Sequence, residues 1–318
     1  MSTSLPPLRV RADNGLLVAR DGLILCFFMR HTHDEVASAV WTTLRTYRAA
    51  IPPHTLSAYV TPEGGLLPLD DERWEHTREE LLARPSTSSL SLQLQQHSTE
   101  MGGYHFEYVG RRLEAPPFNR DENATCAVSF TLPTEYLREH GPARVRDLAL
   151  AIGQDLPFSF GYASLALVTP HLDWYAARRA VRELRDRYLG LDVAHLEQTS
   201  RVLGTRARGA YWLTFLGERL LDQLGGCAHL NQRLAPSGVT LHALDDHRAW
   251  LSLGEWPEAI DTARGESPSP RLLALARALE PFLYEQEVTG WFFHDDEEGL
   301  EDMRRWIRRF CSRTGREA

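Results

Sequence analysis

Ala207-Arg208-Gly209-Ala210-Tyr211-Trp212-Leu213-Thr214-Phe215-Leu216-Gly217-Glu218 opens a stretch, ending at Trp256, on which the fold of this chain turns. Tyr211–Leu216 mixes apolar and β-branched residues and stops at a glycine, the pattern of a buried strand. A short helical run then leads to Leu224-Gly225-Gly226. Val239–Leu244 and Ala249–Leu253 follow as two further strands, joined by Asp245-Asp246-His247, a polar loop of hairpin length. Gly254-Glu255-Trp256-Pro257 closes the segment. Strand, helix and hairpin all read as scaffold, with no nucleophile, metal cluster or phosphate loop among them.

The same alternation fills the chain before this point. Leu16–Phe28 reads as two short strands broken by Asp21-Gly22, a strong hairpin signal. Thr32-His33-Asp34-Glu35 is a capping box, and Val36, Val40, Leu44, Tyr47 and Ile51 then share one helical face before Pro52-Pro53 stops the helix. Leu56–Val60 is a strand. Pro62–Pro85 reads as loops around a short helix near Asp71–Ala83. Ser89–His97 and Tyr104–Val109 alternate apolar and polar residues with period two and pair as half-exposed strands. Ala127–Phe130 is a strand, and Gly141-Pro142 precedes a helix with Val145, Leu148, Ala149 and Ile152 on its inner face. Gly161–Val168 is the next strand, and Asp173 caps a helix that turns Trp174, Val181, Leu184 and Tyr188 inward. Arg178, Arg179, Arg182 and Arg185 give that helix a solvated basic face.

The pattern strand–helix–strand therefore occurs three times, at Leu23–Val60, Ala127–Val168 and Tyr211–Leu253. The spacing is too uneven for a solenoid. It fits an α+β protein with helices packed on antiparallel or mixed sheets. Positions 1–260 read as this α+β unit, open to division into two related lobes with a boundary near 120–205. Positions 261–318 read as a helical C-terminal segment. Asp261–Ser269, rich in Ser, Gly and Pro, is the linker candidate between them. Beyond it, one helix starts at Ser269-Pro270 with Leu272, Ala276, Leu279 and Phe282 facing in. A last helix carries Leu300, Met303, Ile307 and Phe310 as its apolar stripe.

At 318 residues the chain is long enough to bury a substantial core. Its 43% hydrophobic and 25% charged content is that of a soluble globular protein. A net charge of −8 argues against nucleic-acid binding and suits a basic partner. Cys26, Cys126, Cys227 and Cys311 are far apart and make no zinc pattern, so they read as reduced thiols. No secretory signal or bilayer-length apolar run is present, which points to the cytoplasm.

Several polar clusters invite a chemical reading. His31 and His33 straddle the capping box, and residues two apart share no helical face, so they read as cap and not as metal ligands. Asp245, Asp246, His247 and Arg248 with Glu255 could form an acid–base group, but Asp-rich hairpin loops arise from turn preferences alone. Cys227 follows Gly225-Gly226, where a helix start would lower a thiol pKa. No general base is fixed beside it. The most suggestive exposed feature is the acidic run Asp295, Asp296, Glu297, Glu298, Glu301 and Asp302. Acids at a helix start followed by Arg304, Arg305, Arg308 and Arg309 complement the macrodipole, and Glu301 with Arg305 is a favourable pair. The same carboxylates could dock on the basic face of a nuclease.

Gly209–Gly217, Leu224-Gly225-Gly226 and Leu253–Pro257 resemble the immunity-protein family encoded beside type VI secretion effectors. So do Val128–Leu137 with His140-Gly141-Pro142, and Leu156–Ala163. The resemblance covers roughly positions 20 to 285, loosens after Pro257, and leaves out the acidic tail. It implies a cytoplasmic immunity protein that binds and neutralises a cognate effector toxin, nuclease-like and acting in the cytosol, by occlusion and without catalysis or cofactor. Asp295, Asp296, Glu297, Glu298, Glu301 and Asp302 are the candidate effector-binding residues. An enzyme using Asp246, His247 and Glu255, or a secretion-system adaptor, is the alternative. Neither nucleic acid nor membrane is an expected partner, and the oligomeric state is not legible.

Overall fold

The computed structural model describes residues 7–96, 102–169, 174–285 and 297–311. The chain begins with β1 (Arg9–Arg11) and the long β2 (Leu17–Met29), then α1 (His33–Ala50). Next come β3 (Ala58–Val60), β4 (Leu66–Pro68), α2 (Asp71–Leu82), β5 (Ser89–Gln95), β6 (His105–Arg111) and β7 (Cys126–Pro133). α3 (Thr134–Asp155), β8 (Phe160–Val168), α4 (Trp174–Arg187), β9 (Asp192–Val193) and α5 (Leu196–Val202) lead into the segment quoted above. That segment holds β10 (Leu213–Leu216), α6 (Glu218–Gln223), α7 (Gly226–Leu234), β11 (Thr240–Ala243) and β12 (Ala249–Ser252). α8 (Pro270–Leu279) and α9 (Glu297–Ile307) complete the described chain.

The strands join in one sheet, in the order β11-β12-β10-β8-β2-β7-β6-β5-β3-β4, with β1 on β2 and β9 on β8. Neighbours run antiparallel except β8 and β9. The fold is α+β, as the period-two and helical patterns require. β7 and β8 both pair antiparallel with β2, so α3 carries the chain across it. In the same way α6 and α7 join β10 to β11, with β12 between. The first unit differs: β7, β6 and β5 separate β2 from β3.

β2 is the centre, and it corrects the expected hairpin at Asp21-Gly22. The strand runs unbroken through both residues. Asp21 is fully buried and its carboxylate accepts the Leu8 N–H at 2.8 Å and the Thr134 hydroxyl, while Arg9 pairs with it. Gly22 is there for close approach. A Cβ at that position would lie 2.9 Å from the Leu132 carbonyl oxygen and collide with Val168. Two residues that usually make a turn are instead demanded by packing across three strands.

Alternation along β2 sends its side chains to two cores. Leu23, Leu25 and Phe27 point to a face packed by Val40 and Leu44 of α1, Leu148 and Ile152 of α3, and Val181 of α4. Ile24, Cys26 and Phe28 point to the opposite face, packed by Leu196, Leu220, Leu230, Leu275 and Ile307 from the later helices. Three further expectations are adjusted. β4 forms an edge strand inside the stretch read as loops. Helical structure starts at Thr134, and Gly141, at φ 76°, breaks it where Pro142 restarts it. α7 (Gly226–Leu234) extends the helix start weighed at Cys227 across most of the interval before β11. Asp261, within the linker candidate, is pinned by a fork from Arg187 at 2.9 and 2.8 Å.

Candidate functional site

The acidic run lies partly within the described chain. Asp295 and Asp296 are outside the described residues, and Glu297 and Glu298 are described only as the start of α9. Glu301 is exposed. Asp302 turns inward and accepts Arg185 Nη2 of α4 at 2.9 Å, with Arg182 and Arg305 at 3.9 and 3.8 Å. Arg185, expected on a solvated face, is only 2% exposed and lies 5.1 Å over the Trp306 ring. Arg309 donates to the Leu189 carbonyl at 2.9 Å and lies over the Trp306 ring at 3.8 Å and the Phe310 ring at 4.5 Å. The ion pair and the Arg185–Trp306 contact hold α9 to α4, while Ile307 and Phe310 are buried in the core shared with the later helices.

The other sequence candidates resolve into structure. His33 is fully buried, its Nδ1 2.9 Å from the Tyr108 hydroxyl and its Nε2 3.0 Å from the Ala83 carbonyl. Burial lowers its pKa. Glu35 accepts the Thr32 N–H at 2.8 Å, the return bond of a capping box. Asp245 accepts the N–H groups of His247 and Arg248 at 2.9 and 2.8 Å, an Asp-directed turn. Arg248 in turn donates to the Leu156 carbonyl at 2.6 Å and tethers the end of α3. His247 meets Glu218 at 2.9 Å, and Glu255 is exposed. Cys227 sits near the start of α7, but burial raises its thiol pKa, so the helix start does not make it a thiolate. Among the described residues no group of three or more His, Cys, Asp or Glu could hold a metal ion.

Two polar assemblies escaped the sequence. The first is a buried cluster between the sheet and the later helices. Arg208 pairs with Asp192 at 2.5 Å, donates to the Val193 carbonyl at 3.0 Å, and lies 5.2 Å over Tyr162, which stacks on Tyr211 at 4.0 Å. Asp192 also accepts the Tyr162 hydroxyl at 2.7 Å. Desolvation alone would lower the Arg208 pKa, yet the facing carboxylate leaves it well raised. Every partner is spoken for, so the cluster anchors β9 to the sheet.

The second is a pocket on the same face, beyond the apolar core. β5, β6 and β7 set Gln93, Glu107 and Ser129 side by side, with Gln95, His105 and Thr131 in the next row. α5 lies over β6 and β7, tied down by Arg111, which donates to Ser200 Oγ at 2.7 Å and to the Thr125 carbonyl at 2.6 Å. The pocket opens beside α5, with Glu107, Ser129 and Thr131 on its floor and Thr169 and His195 on its walls. It holds about 40 Å³ of solvent-accessible space, against the roughly 10–15 Å³ that one water needs. Burial, and secondarily the charge of Glu197, pushes the Glu107 carboxyl up to about 7. Alternation in Tyr104–Val109 already placed His105 and Glu107 on one face, but not the roof above them.

A second exposed acidic region lies on α2, where Asp71, Glu72, Glu75 and Glu79 face solvent near the exposed Leu66 and Leu67 of the edge strand β4. No helix among the described residues is long and apolar enough to cross a membrane.

The fold and these surfaces define an open-sheet α+β protein with acidic exposed faces. The family described as TsiV, type VI immunity for VRR-NUC, matches residues 39–310, and the chain belongs to it. It is an immunity protein of type VI secretion, a family whose members neutralise an effector. The solved structure of the Pseudomonas aeruginosa T6SS protein PA0821 is similar, with a TM-score of 0.78 and 19% identity, over 96% of this chain and 88% of that one. At that identity the likeness is one of fold. No curated protein matches the chain in sequence.

Proposed function

We propose that this chain neutralises a VRR-NUC-type effector, a nuclease toxin, in the cytoplasm by binding it stoichiometrically and covering its active face, not by catalysis. The observation that carries the reading is the family match across residues 39–310. The net charge of −8 supports it, because a nuclease must gather phosphate with basic side chains. Two surfaces are offered for docking. One is the acidic run from Asp295 to Asp302, in which Glu301 is exposed and Asp302 holds the helix in place. The other is the acidic outer side of α2 beside Leu66 and Leu67.

Co-expression with the toxin domain encoded beside this gene tests the reading. Restored growth and a one-to-one complex on purification are the expected result. Undiminished killing with no complex would overturn it for that effector.

A further inference from the structure

We infer that the pocket floored by Glu107 receives a basic side chain of the effector, an arginine or a lysine inserted from its nucleic-acid-binding face. The inference rests on the effector-binding reading and adds to it a site on the sheet.

Glu107 is the reason. The chain contains no lysine, and among the described residues no arginine forms an ion pair with this carboxylate. The charge that raises its pKa besides burial is another carboxylate, Glu197. A carboxylate partly withdrawn from water without a cation works against folding. Elsewhere the fold avoids that cost, giving Asp21, Asp192, Asp261 and Asp302 each an arginine. Glu107, partly exposed, has no such arginine, and it faces an open pocket and not a sealed core.

The surroundings choose the ligand. Ser129 stands beside Glu107 on β7 and lines the same pocket, as does Thr131, each with a side-chain oxygen able to accept an N–H. A guanidinium carries five donors in a planar fork and an ammonium three, so either can bridge the carboxylate and its neighbours. An anion would meet Glu107 and be repelled. An apolar side chain would strand it. A nuclease supplies the matching group, since its phosphate contacts are arginines and lysines.

The test compares the unaltered chain with Glu107→Gln, which keeps shape and removes charge. Affinity for the catalytically inactivated toxin domain is measured by calorimetry, and thermal melting of each free protein is followed at pH 8. The expected result is binding weakened about thirtyfold or more, with a melting temperature that does not fall. Binding within twofold of the unaltered chain would overturn the proposal. So would weakened binding accompanied by a lower melting temperature, because the carboxylate would then serve the fold. If the unaltered chain does not bind the toxin domain at all, the immunity reading fails for that effector, and the occupant assigned to the pocket fails with it.

Discussion

Asp302 of the last helix and Arg185 of α4 meet at 2.9 Å, both turned away from solvent. Their neighbours in sequence behave differently: Glu301 is exposed, and Arg179 pairs with Glu183 in the open. One acidic run thus contains a carboxylate that holds the helix down and another left to solvent. Asp302→Ala leaves Arg185 with only the exposed carboxylate of Asp186, 2.8 Å away, and losing the inward partner should cost about 1–3 kcal/mol. Glu301→Gln removes an exposed charge and should change stability by less than about 0.5 kcal/mol. Urea unfolding of the two variants checks the contrast. Equal midpoints would show that the pair contributes nothing.

Arg208 and Asp192 form the deeper ion pair, both essentially buried, with Tyr162 and Tyr211 around them. Asp192→Ala should cost about 3–5 kcal/mol, because it leaves a guanidinium in the core with only a carbonyl and hydroxyls. Arg208→Met combined with Asp192→Leu should recover much of that loss, since an apolar pair of similar volume carries no desolvation cost. Denaturant titrations of the single and double variants decide it. A double variant as unstable as the sum of the singles would mean that the tyrosine contacts dominate the cluster.

Local pattern made the α+β class legible, along with most of its elements. The alternation in Ser89–Gln95, the stripe of α1 and the serine cap of α8 need only neighbouring residues to be read. What stayed hidden depends on partners distant in the chain. Asp21-Gly22 looks like a turn until β7 and β8 close on both sides of it. Arg185 looks like one more solvated arginine until α9, more than a hundred residues later, brings Asp302 to it. The Glu107 pocket needs β2, β6, β7, β8 and the start of α5 together, so no window of sequence contains it.

Gly22 gives a direct test of that long-range demand. Its added Cβ would fall 2.9 Å from the Leu132 carbonyl oxygen, backbone that cannot swing aside, and would press on the Val168 side chain. Gly22→Ala should therefore destabilise by about 1–3 kcal/mol, although alanine suits a strand interior better than glycine in the absence of such a clash. Thermal melting provides the readout. A variant that melts at the same or a higher temperature would show that the strands can part without cost at this point.

Glu107 makes stability depend on pH in a direction opposite to that of a paired carboxylate. Its folded-state pKa is raised from 4.5 to about 7, so the unfolded chain releases this proton first. Between those values the folded state binds more protons, and stability falls as pH rises, levelling off above about 7. The full difference amounts to roughly 3 kcal/mol. His105 and His195 border the same pocket and Glu197 lies close to it, so the pH profile of the unaltered chain mixes several groups. Glu107→Gln changes one of them alone. Subtracting its unfolding free energies from those of the unaltered chain should leave a curve that declines from pH 4.5 to 7 and is flat on either side. A difference that stays constant across that range would show that water reaches the carboxylate freely, and a difference that grows with pH would show that the folded chain supplies it with a cation.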